Sequence, residues 1–506
     1  MELQRPPTDP ARRLHPLTLI QKLIKSLPAL LLGLLPFLGN DSGPSKVVLL
    51  VFLVLYGTVM VPVILIQYFR FRYWITEREV IIHSGVLTRR KRSIPIERIQ
   101  NIVLERSLLP RLLGTARVKI ETAGSKSAEG ILEYVHVAEA NRLRTVVQEW
   151  TATSDSVRGS TPEPHKETEL FRMSLDRIFL SGAFRFSLIY IAIIFSGMQY
   201  LPDVFNLTPE DLVDWVLSGG VEEYTETARA SPWLIGAVTG VMAILFGWTT
   251  GIVINVTKYY NFRLWLDGNK LHLRHGLFTV REGTIPLKRV QSLILRTNPP
   301  MRLFGWYRLE LQTIGYDVEK QGYQVAVPFA RLHEILALAP HIRPFTLPES
   351  FECVSPVSIR RTVVRYFMVF AVLLAVPVYF WQEALWGLLL LAPLYGLAVL
   401  QYRNHGYAID ADTVYIRRGV FQHYVWIVPS DRFQVFYTHD TFFQRRLGLR
   451  SVIIDTAGAG SFRFPYIVDL VAETAEQFTA TLYARFQSHF MLGKQMDAEP
   501  KAVPGQ

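Results

Sequence analysis

The chain has 506 residues, of which 50% are hydrophobic, 12% aromatic and 19% charged. This composition is too apolar for an ordinary soluble protein and too polar for a bundle made only of membrane helices, so we expect both a membrane part and a water-exposed part. The formal net charge is +11. The single cysteine, Cys353, excludes an intramolecular disulfide and a Cys/His zinc pattern.

Apolar stretches occur in pairs at three places along the chain. A helix needs about 20 mostly apolar residues to cross a bilayer, and we predict that each stretch does so. The first stretch is the least regular, because it contains Pro28 and Pro36. The six stretches are residues 23–38, 47–68, 184–201, 233–256, 363–381 and 385–401.

Charge predicts the orientation of these pairs. The segment 202–231, between the members of the second pair, contains seven acidic residues and only one basic residue, Arg229. Basic residues such as Arg70, Lys258 and Arg403 follow the second member of a pair instead. Because Lys and Arg are retained on the cytoplasmic side, we expect both termini and the segment after each pair to be cytoplasmic.

A forty-residue pattern occurs three times without insertion or deletion. The copies begin at Gly85, at Gly276, which is 191 residues later, and at Gly419, which is a further 143 residues later. Identity at eight of the forty positions is not expected by chance in three copies, so the chain is a triplication. The identical positions are Gly85, Pro95, Arg98, Gln100, Arg111, Gly114, Thr122 and Gly124; Gly276, Pro286, Arg289, Gln291, Arg302, Gly305, Thr313 and Gly315; and Gly419, Pro429, Arg432, Gln434, Arg445, Gly448, Thr456 and Gly458.

Each copy changes from helical to strand-like periodicity. Apolar and polar residues alternate over 262–276 around Asp267-Gly268, which indicates a β-hairpin. The first copy predicts further strands at 92–96, 100–105 and 117–122. An amphipathic helix is predicted to close each copy, at 138–150, 329–339 and 469–486. Antiparallel strands with one C-terminal helix predict a small α+β barrel or sandwich.

The repeated motif resembles a known family. Its form is Gly-x9-Pro-x-x-Arg-[Ile/Val/Phe]-Gln, then Arg-Leu-[Leu/Phe]-Gly, then Thr-Ala-Gly, with Ile314 in the second copy and Arg446 in the third departing from it. This pattern after paired spans is similar to the bacterial pleckstrin-homology-like, membrane-flanked domain family, in particular its YdbT-like members with three tandem copies. The resemblance implies a pleckstrin-homology-like (PH-like) fold of seven strands and a closing helix, without established catalysis. It also implies a multi-pass protein of the bacterial inner membrane and, as one possible partner, a smaller one-module family member.

The expected organisation alternates membrane pairs with PH-like modules. Linkers rich in Ser, Thr, Pro and charge separate the three units. The expected segments are 1–22 (cytoplasmic N-terminal tail), 23–69 (transmembrane pair 1), 70–150 (module 1), 151–171 (linker), 172–258 (pair 2 with acidic external loop 202–231), 259–342 (module 2), 343–362 (linker), 363–403 (pair 3), 404–490 (module 3) and 491–506 (C-terminal tail).

The repeated polar residues have two interpretations. Arg98, Gln100 and Arg111 could contact lipid headgroups, but identical polar residues in three modules are better explained by hydrogen bonds or ion pairs that the shared fold requires. Gly85, Gly114 and the equivalent glycines are predicted at turns or bulges. We therefore assign the repeated positions a structural role.

A basic cluster distinguishes the first module. Arg89, Arg90, Lys91 and Arg92 correspond to residues 280–283 in the second module and to 423–426 in the third, which are not basic clusters. Basic residues near an anionic leaflet contribute about 1 kcal/mol each. We predict a loop that contacts anionic lipid headgroups, with a solvated loop that only sets topology as the alternative.

The sequence favours a non-catalytic scaffold that presents three cytoplasmic modules to anionic lipid headgroups, protein partners or both. No nucleophile elbow, phosphate loop or H-x-x-x-H pattern occurs, so we expect no catalytic residue, cofactor or metal. His272 and His275 would lie on opposite faces of one strand. No nucleic-acid-binding motif is recognised. The alternative is envelope lipid handling, or resistance to membrane-active peptides, through the membrane helices.

Overall fold

The structure is a computed structural model that describes residues 11–34, 46–76, 78–86, 88–122, 130–156, 167–184, 232–313, 323–410, 412–457 and 464–498. The expected external loop 202–231, most of the stretch 184–201, and Gly124, Gly315 and Gly458 lie outside these residues. The chain divides into two compact units. Unit 1 is Met1–Lys166, Arg172–Arg263 and His272–Thr284, and unit 2 is Glu167–Phe171, Leu264–Leu271 and Ile285–Gln506.

The elements follow the order helix pair, strands, closing helix in each repeat. The first repeat contains α1 (Leu17–Leu34), α2 (Lys46–Leu55), α3 (Val61–Arg70), β1 (Arg72–Ile75), β2 (Glu79–Ser84), β3 (Arg90–Pro95), β4 (Ile99–Arg106), α4 (Leu108–Leu112), β5 (Thr115–Thr122), β6 (Gly130–His136) and α5 (Val137–Ser156). A π-helical turn, Tyr56–Met60, connects α2 to α3.

The second repeat contains β7 (Thr168–Arg172), α6 (Leu175–Ala183), α7 (Pro232–Tyr259), β8 (Arg263–Asp267), β9 (Lys270–His275), β10 (Val280–Pro286), β11 (Val290–Thr297), α8 (Pro299–Leu303), β12 (Trp306–Thr313), β13 (Tyr323–Arg331) and α9 (Leu332–Ile342). The third contains β14 (Glu352–Cys353), α10 (Val357–Phe380), α11 (Leu391–Asn404), β15 (Gly406–Ile409), β16 (Thr413–Arg418), β17 (His423–Pro429), β18 (Phe433–His439), α12 (Phe442–Arg446), β19 (Leu449–Thr456), β20 (Tyr466–Val471) and α13 (Ala472–Ala498). A 3-10 helical segment, Gln382–Leu390, precedes α11. Strands β7 to β10 each contribute residues to both units.

Four helical segments in the described part of the chain are long and apolar enough to cross a membrane. They are Val51–Arg70, Gly240–Tyr259, Val357–Phe380 and Gln382–Asn404. Four of the predicted stretches are therefore helical and long and apolar enough to be candidate spans. Of the other two, 23–38 is described only as far as Leu34 and 184–201 only at Phe184, so six spans remain a prediction.

Polar side chains connect the helices of each pair. Tyr56 and Ser26 share a hydrogen bond between the first-repeat helices, and Asn255 of α7 donates to Ser181 of α6. Tyr366 of α10 donates to Gln401 of α11 at 2.8 Å. Interhelical hydrogen bonds stabilise helix association in a bilayer, where the hydrophobic effect between helices is weak.

Antiparallel sheets form the modules. In unit 1 one sheet has the order β1-β2-β3, and another has the order β6-β5-β4 and continues into β10. In unit 2 the strand order is β13-β12-β11-β17-β16-β15-β14 in one sheet and β18-β19-β20 in the other. Two sheets and a closing helix agree with the expected sandwich for modules 1 and 3. Their apolar cores contain Ile94, Val118 and Leu143 in module 1, and Val414, Val452 and Leu482 in module 3.

Segments before the membrane pairs also add strands to the modules. Arg12 exchanges two backbone hydrogen bonds with Tyr73 of β1, of 3.0 and 3.1 Å, and β14 pairs with β15. Strand β7 neighbours β8 in the same way. The tail 1–22 and the linkers 151–171 and 343–362 therefore contain parts of the folded modules.

Two of the three closing helices begin later than the sequence predicted. Phe329, the predicted start in module 2, lies in β13, where its ring stacks on Trp306 with 4.1 Å between centroids. Asp469, the predicted start in module 3, lies in β20 with a positive φ of 62°. Both predictions were wrong. In module 2 the buried Phe329 continues the apolar spacing of the following helix, and in module 3 the apolar residues Leu470 and Val471, just before α13, still belong to β20.

Candidate functional site

A cavity of about 330 Å³ lies where α10 and α11 meet module 3. Its volume is at the lower end of the range for small-ligand sites. Arg361 and Arg365 come from the first part of α10, and Gln401 comes from the last part of α11. The other lining residues are Ser358, Thr362, His405, Arg418, Gly419, Gln422, Tyr424, Tyr466, Val468 and Asp469. The cavity thus lies at the end of a candidate membrane pair.

Asp469 holds one side of the cavity in place. Its buried carboxylate pairs with Arg361 and accepts a 2.8 Å hydrogen bond from Gln444. Its backbone oxygen accepts a 3.0 Å hydrogen bond from the amide of Ser355, just before α10. These contacts link the last strand, β20, to the start of α10, so module 3 and α10 are positioned together.

Arg418, another lining residue of the cavity, is held by aromatic rings. Its guanidinium carbon lies 3.7 Å from the centroid of Tyr466 and 4.8 Å from that of Trp426. Cation–π contacts fix an arginine without neutralising it. The equivalent residues in the other repeats are His275 and Ser84, so this arginine belongs to the third module alone.

His405 contributes polarity to the cavity but no charge at neutral pH. Burial, with the nearby Arg418 guanidinium, lowers the pKa of His405 to about 4, although Asp469 acts in the opposite direction. Its Nε2 accepts a 3.4 Å hydrogen bond from the amide of Val468, which requires an unprotonated nitrogen.

The charges of the lining residues favour an anion. Three arginines, Arg361, Arg365 and Arg418, face one carboxylate, Asp469, which leaves two net positive charges. Guanidinium groups present several donors in a fork that matches phosphate oxygens. Tyr466 and Gln401 add further donors, whereas the Tyr424 hydroxyl already donates to Gln422. A phosphate-bearing group at the membrane surface fits this chemistry.

The predicted basic cluster lies in module 1. Arg90, Lys91 and Arg92 form the first half of β3, and Arg89 directly precedes it, so most of the cluster is an edge strand and not a loop. All four residues are exposed. None of them lines the cavity, which belongs to the third repeat.

The repeated glycines occupy strained backbone positions. Gly419 has a φ of 100°, and a Cβ there would overlap the carbonyl oxygen of Gln422. Gly85 and Gly276 have the same conformation and meet equivalent carbonyl groups. Gly114, Gly305 and Gly448 also have positive φ. This geometry agrees with a turn role, because glycine adopts such angles without steric cost.

The other repeated residues have different surroundings from one copy to the next. Pro95, Pro286 and Pro429 each end a strand, whereas Thr122, Thr313 and Thr456 are buried. Arg302 donates to Asn404 at 3.2 Å, Arg445 pairs with Asp440 at 3.3 Å, and Arg432 pairs with Asp431 at 3.2 Å. Arg98 and Arg111 are exposed, and Arg289 is half-buried. Gln291 is buried but Gln434 is exposed.

The histidines considered in the sequence are apart in the structure. His272 Nδ1 lies 2.9 Å from the Thr284 hydroxyl, and His275 Nδ1 lies 2.7 Å from the Lys258 carbonyl oxygen. Over the residues with described positions, no three His, Cys, Asp or Glu side chains form a metal-binding group.

Sequence reasoning missed the cavity and a series of exposed apolar side chains. Leu112, Leu303 and Phe443 lie exposed on or beside α4, α8 and α12, which are equivalent short helices. The Arg302–Asn404 bond places α8 beside the end of α11. The cavity arises from segments distant in sequence, so no local pattern predicts it, but the unmatched Arg418 in the repeat alignment was a usable signal.

Comparison with known proteins identifies the family. The family model described as "Bacterial PH domain" matches residues 27–150, 216–346 and 363–486. The chain belongs to this family. It is also 24% identical over 459 residues to the UPF0699 transmembrane protein YdbT of Bacillus subtilis (strain 168), covering 86% of this chain and 90% of that protein. No solved structure matches the chain.

These comparisons confirm a YdbT-like member of the bacterial PH domain family with tandem copies, as the repeated motif indicated. Each matched region includes apolar residues before a module as well as the module itself. Together with the four apolar helical segments, the transmembrane relative identifies a membrane protein.

Proposed function

We propose that the protein is a non-catalytic membrane scaffold whose cytoplasmic PH-like modules bind anionic lipid headgroups, with the cavity of module 3 as the headgroup site. The observation that carries this proposal is the set of three arginines, partly fixed by Asp469 and Tyr466, at the end of a candidate membrane pair. A headgroup phosphate in the adjacent leaflet would reach these arginines while its acyl chains remained beside α10 and α11.

The basic cluster of module 1 adds a less specific attraction. Arg89, Arg90, Lys91 and Arg92 are exposed and follow α3, the end of a candidate span. We expect them to favour an anionic surface over a neutral one without selecting a headgroup. Protein partners, including a one-module relative, would bind other surfaces of the scaffold.

The test is lipid binding by the full chain in detergent. Soluble short-chain phosphatidylglycerol is titrated into the wild type and into Arg365→Gln/Arg418→Gln, with phosphatidylcholine as the zwitterionic control and inorganic phosphate as the lipid-free control. Two lost contacts of about 1 kcal/mol each should weaken phosphatidylglycerol binding about thirtyfold. Arg403→Gln, at the exposed end of α11 but outside the cavity, is the matched control and should retain binding.

Three outcomes separate the interpretations. Binding of phosphatidylglycerol that depends on Arg365 and Arg418 supports the headgroup site. Equal loss in the Arg403 variant would indicate only general surface charge and would contradict it. Binding of inorganic phosphate as tight as that of phosphatidylglycerol would indicate a soluble anion as the ligand.

The basic cluster of module 1 needs a separate test. Changing Arg89, Arg90, Lys91 and Arg92 to Ser should reduce the additional hydrogen-exchange protection that β3 has in anionic nanodiscs compared with neutral ones.

A further inference from the structure

Adjacent modules are joined by strand pairing within each unit. In unit 1, β4 of module 1 pairs antiparallel with β10 of module 2. In unit 2, β11 of module 2 pairs antiparallel with β17 of module 3. Both junctions join the fourth strand of one module to the third strand of the next.

The two junctions have the same register. Glu282 lies opposite Leu104 in the first, and Val425 lies opposite Leu295 in the second. The repeat spacings of 191 and 143 residues make these pairs equivalent. Arg281 opposite Glu105 likewise corresponds to Tyr424 opposite Arg296. Since the register recurs with different side chains, the backbone of the repeat determines it.

One third strand and one fourth strand, the two strand positions used in the junctions, remain at a sheet edge. The third strand of module 1, β3, ends the sheet β1-β2-β3, and the fourth strand of module 3, β18, ends the sheet β18-β19-β20. Neither pairs through its outer edge with any strand in the described part of the chain. An edge strand presents unpaired backbone groups and is a template for pairing with another chain.

The side chains of β18 are exposed where the equivalent side chains in the two junctions are buried. Tyr437 is 48% exposed, whereas the equivalent Ile294 and Val103 in the two junctions are 2% and 7% exposed. Val435 is also exposed, while the equivalent Ser292 is buried. Natural edge strands are usually protected by charged residues or proline, but β18 has neither between Phe433 and Thr438.

We propose that β18 of one molecule pairs with β3 of a second copy of this chain, in the register of the two internal junctions. The strand that fits β18 at both internal positions is the third strand of a PH-like module, and β3 is the copy of that strand left at an edge. The contact is heterologous, so copies would associate head to tail into a row or a closed ring.

The expected register brings compatible side chains together. Arg89 would lie opposite Asp440, Lys91 opposite Thr438, and Arg92 opposite Tyr437, whose ring can accept a cation–π contact. His439 would face Arg90. No basic residue of β3 would face Lys or Arg, and directly opposed like charges are what destabilises antiparallel pairs. The contact uses backbone groups of β3, so its basic side chains remain on the sheet faces.

Disulfide cross-linking of the full chain tests this pairing. The exposed Cys353 is first changed to Ser, which leaves no other cysteine. Chains carrying Lys91→Cys and chains carrying Thr438→Cys, with different tags, are then co-expressed and oxidised in membranes. A reducible band at twice the monomer mass that contains both tags is expected. Each variant expressed alone should give no such band, because β3 and β18 are different surfaces.

Two controls keep the result interpretable. Leu295→Cys/Val425→Cys in one chain occupies the equivalent internal pair and should form an intrachain disulfide, which shows that this register supports cross-linking. Lys91→Cys with Tyr437→Cys tests a slip by one residue and should link less efficiently.

The remaining outcomes contradict the proposal. Absence of the mixed dimer, with the internal control formed, would show that β18 does not pair with β3 of another copy. A dimer from Thr438→Cys alone would indicate symmetric pairing of β18 with itself. A chain that carries both Lys91→Cys and Thr438→Cys is oxidised as well, and a disulfide that forms only within its monomer would indicate closure within the molecule.

Discussion

The third strands of modules 1 and 3 occupy equivalent positions in the repeat but have different surroundings. In β17, Val425, Trp426 and Ile427 are buried, and the strand pairs with β11 of the preceding module. In β3, the equivalent Lys91, Arg92 and Ser93 are exposed at a sheet edge. The same backbone register therefore serves as an internal junction or as the end of the series, and the side chains decide which.

The fourth strands show the complementary difference. Strand β11 is buried over most of its length, whereas β18 exposes most of its side chains. Module 2 uses both strand edges, and modules 1 and 3 each leave one at a sheet edge among the described strands. This comparison predicts that a substitution in a junction strand lowers the free energy of unfolding, whereas an equivalent substitution in an edge strand leaves it nearly unchanged.

The largest effect is expected for Trp426→Ala. The indole is fully buried in the junction strand, opposite Ile294, and packs in the core of module 3. Removing it leaves a cavity, and such changes cost about 3–5 kcal/mol. The free energy of unfolding would be followed by hydrogen exchange of β11 and β17 in the detergent-solubilised protein.

The control for Trp426 is Phe421→Ala, in the exposed turn just before β17. This change should alter the free energy of unfolding by less than about 0.5 kcal/mol. Equal destabilisation by the two variants would show that the β11–β17 junction does not depend on burial.

The second largest effect is expected from acidification, which should lower the stability of module 3. Burial lowers the pKa of both His405 and His423 to about 4, with Arg418 adding to the effect at His405 and Arg302 at His423. The unfolded chain then binds more protons than the folded chain, so stability is complete above pH about 6.5 and falls as the pH drops towards 4. By linkage, each histidine costs about 2 kcal/mol between pH 6.5 and 5.

Denaturation midpoints measured at pH 6.5 and pH 5 test the contribution of His405. His405→Gln keeps an acceptor for the Val468 amide and cannot bind a proton, so it should reduce the loss of stability at pH 5. The charged groups that act on His405 are Arg418, Arg417 and Asp469, and all three are kept in this variant. An unchanged pH dependence in the variant would contradict the buried, neutral histidine.

The sequence predicted the elements of the modules better than the contacts between them. The repeat identified the hairpin at Asp267-Gly268, β5 and the closing helix α5, because each has a local periodicity or turn signal. It did not predict β14, a short strand within an expected linker, or the pairing of β11 with β17. Those contacts join residues far apart in the chain and leave no local pattern.

The candidate sites show the same limit. The cluster Arg89–Arg92 was found from charge, but charge alone suggested a loop, whereas the structure has an edge strand from Arg90. The cavity around Arg418 combines two candidate membrane helices with three strands, which only the tertiary structure brings together. Comparing the copies position by position identifies what is unique to a module, but not what lies beside it.

A smaller effect is expected for Glu282→Ala in the first junction. The carboxylate lies 2.6 Å from Arg106, 3.4 Å from Arg274 and 3.9 Å from Arg144. Removing this carboxylate leaves three arginines close together. The ion pairs of Glu282 are partly exposed, so solvent screens the repulsion between these arginines. We expect a loss of about 1–2 kcal/mol in the free energy of unfolding, smaller in high salt.

Lys91→Ala is the matched control for Glu282→Ala, because the two residues are equivalent in the repeat. Lys91 is exposed on β3, so its removal should change the free energy of unfolding by less than about 0.5 kcal/mol. A larger loss of stability for Lys91→Ala than for Glu282→Ala would contradict the view that junction strands depend on their side chains and edge strands do not.

The smallest effect on stability is expected for Val435→Lys/Tyr437→Lys in β18. Both side chains are already exposed, so the free energy of unfolding of the isolated chain should change by less than about 0.5 kcal/mol. Lysines on an edge strand oppose pairing with another chain, and in the expected register the Tyr437→Lys side chain would also lie opposite Arg92 of β3. The mixed dimer formed by Lys91→Cys and Thr438→Cys should therefore be lost although the fold is retained. Tyr483→Lys, which changes an equally exposed tyrosine on α13, should leave that dimer unchanged. If β18 carries both lysines and the dimer persists, contacts elsewhere hold the copies together and the strand edge is not the interface.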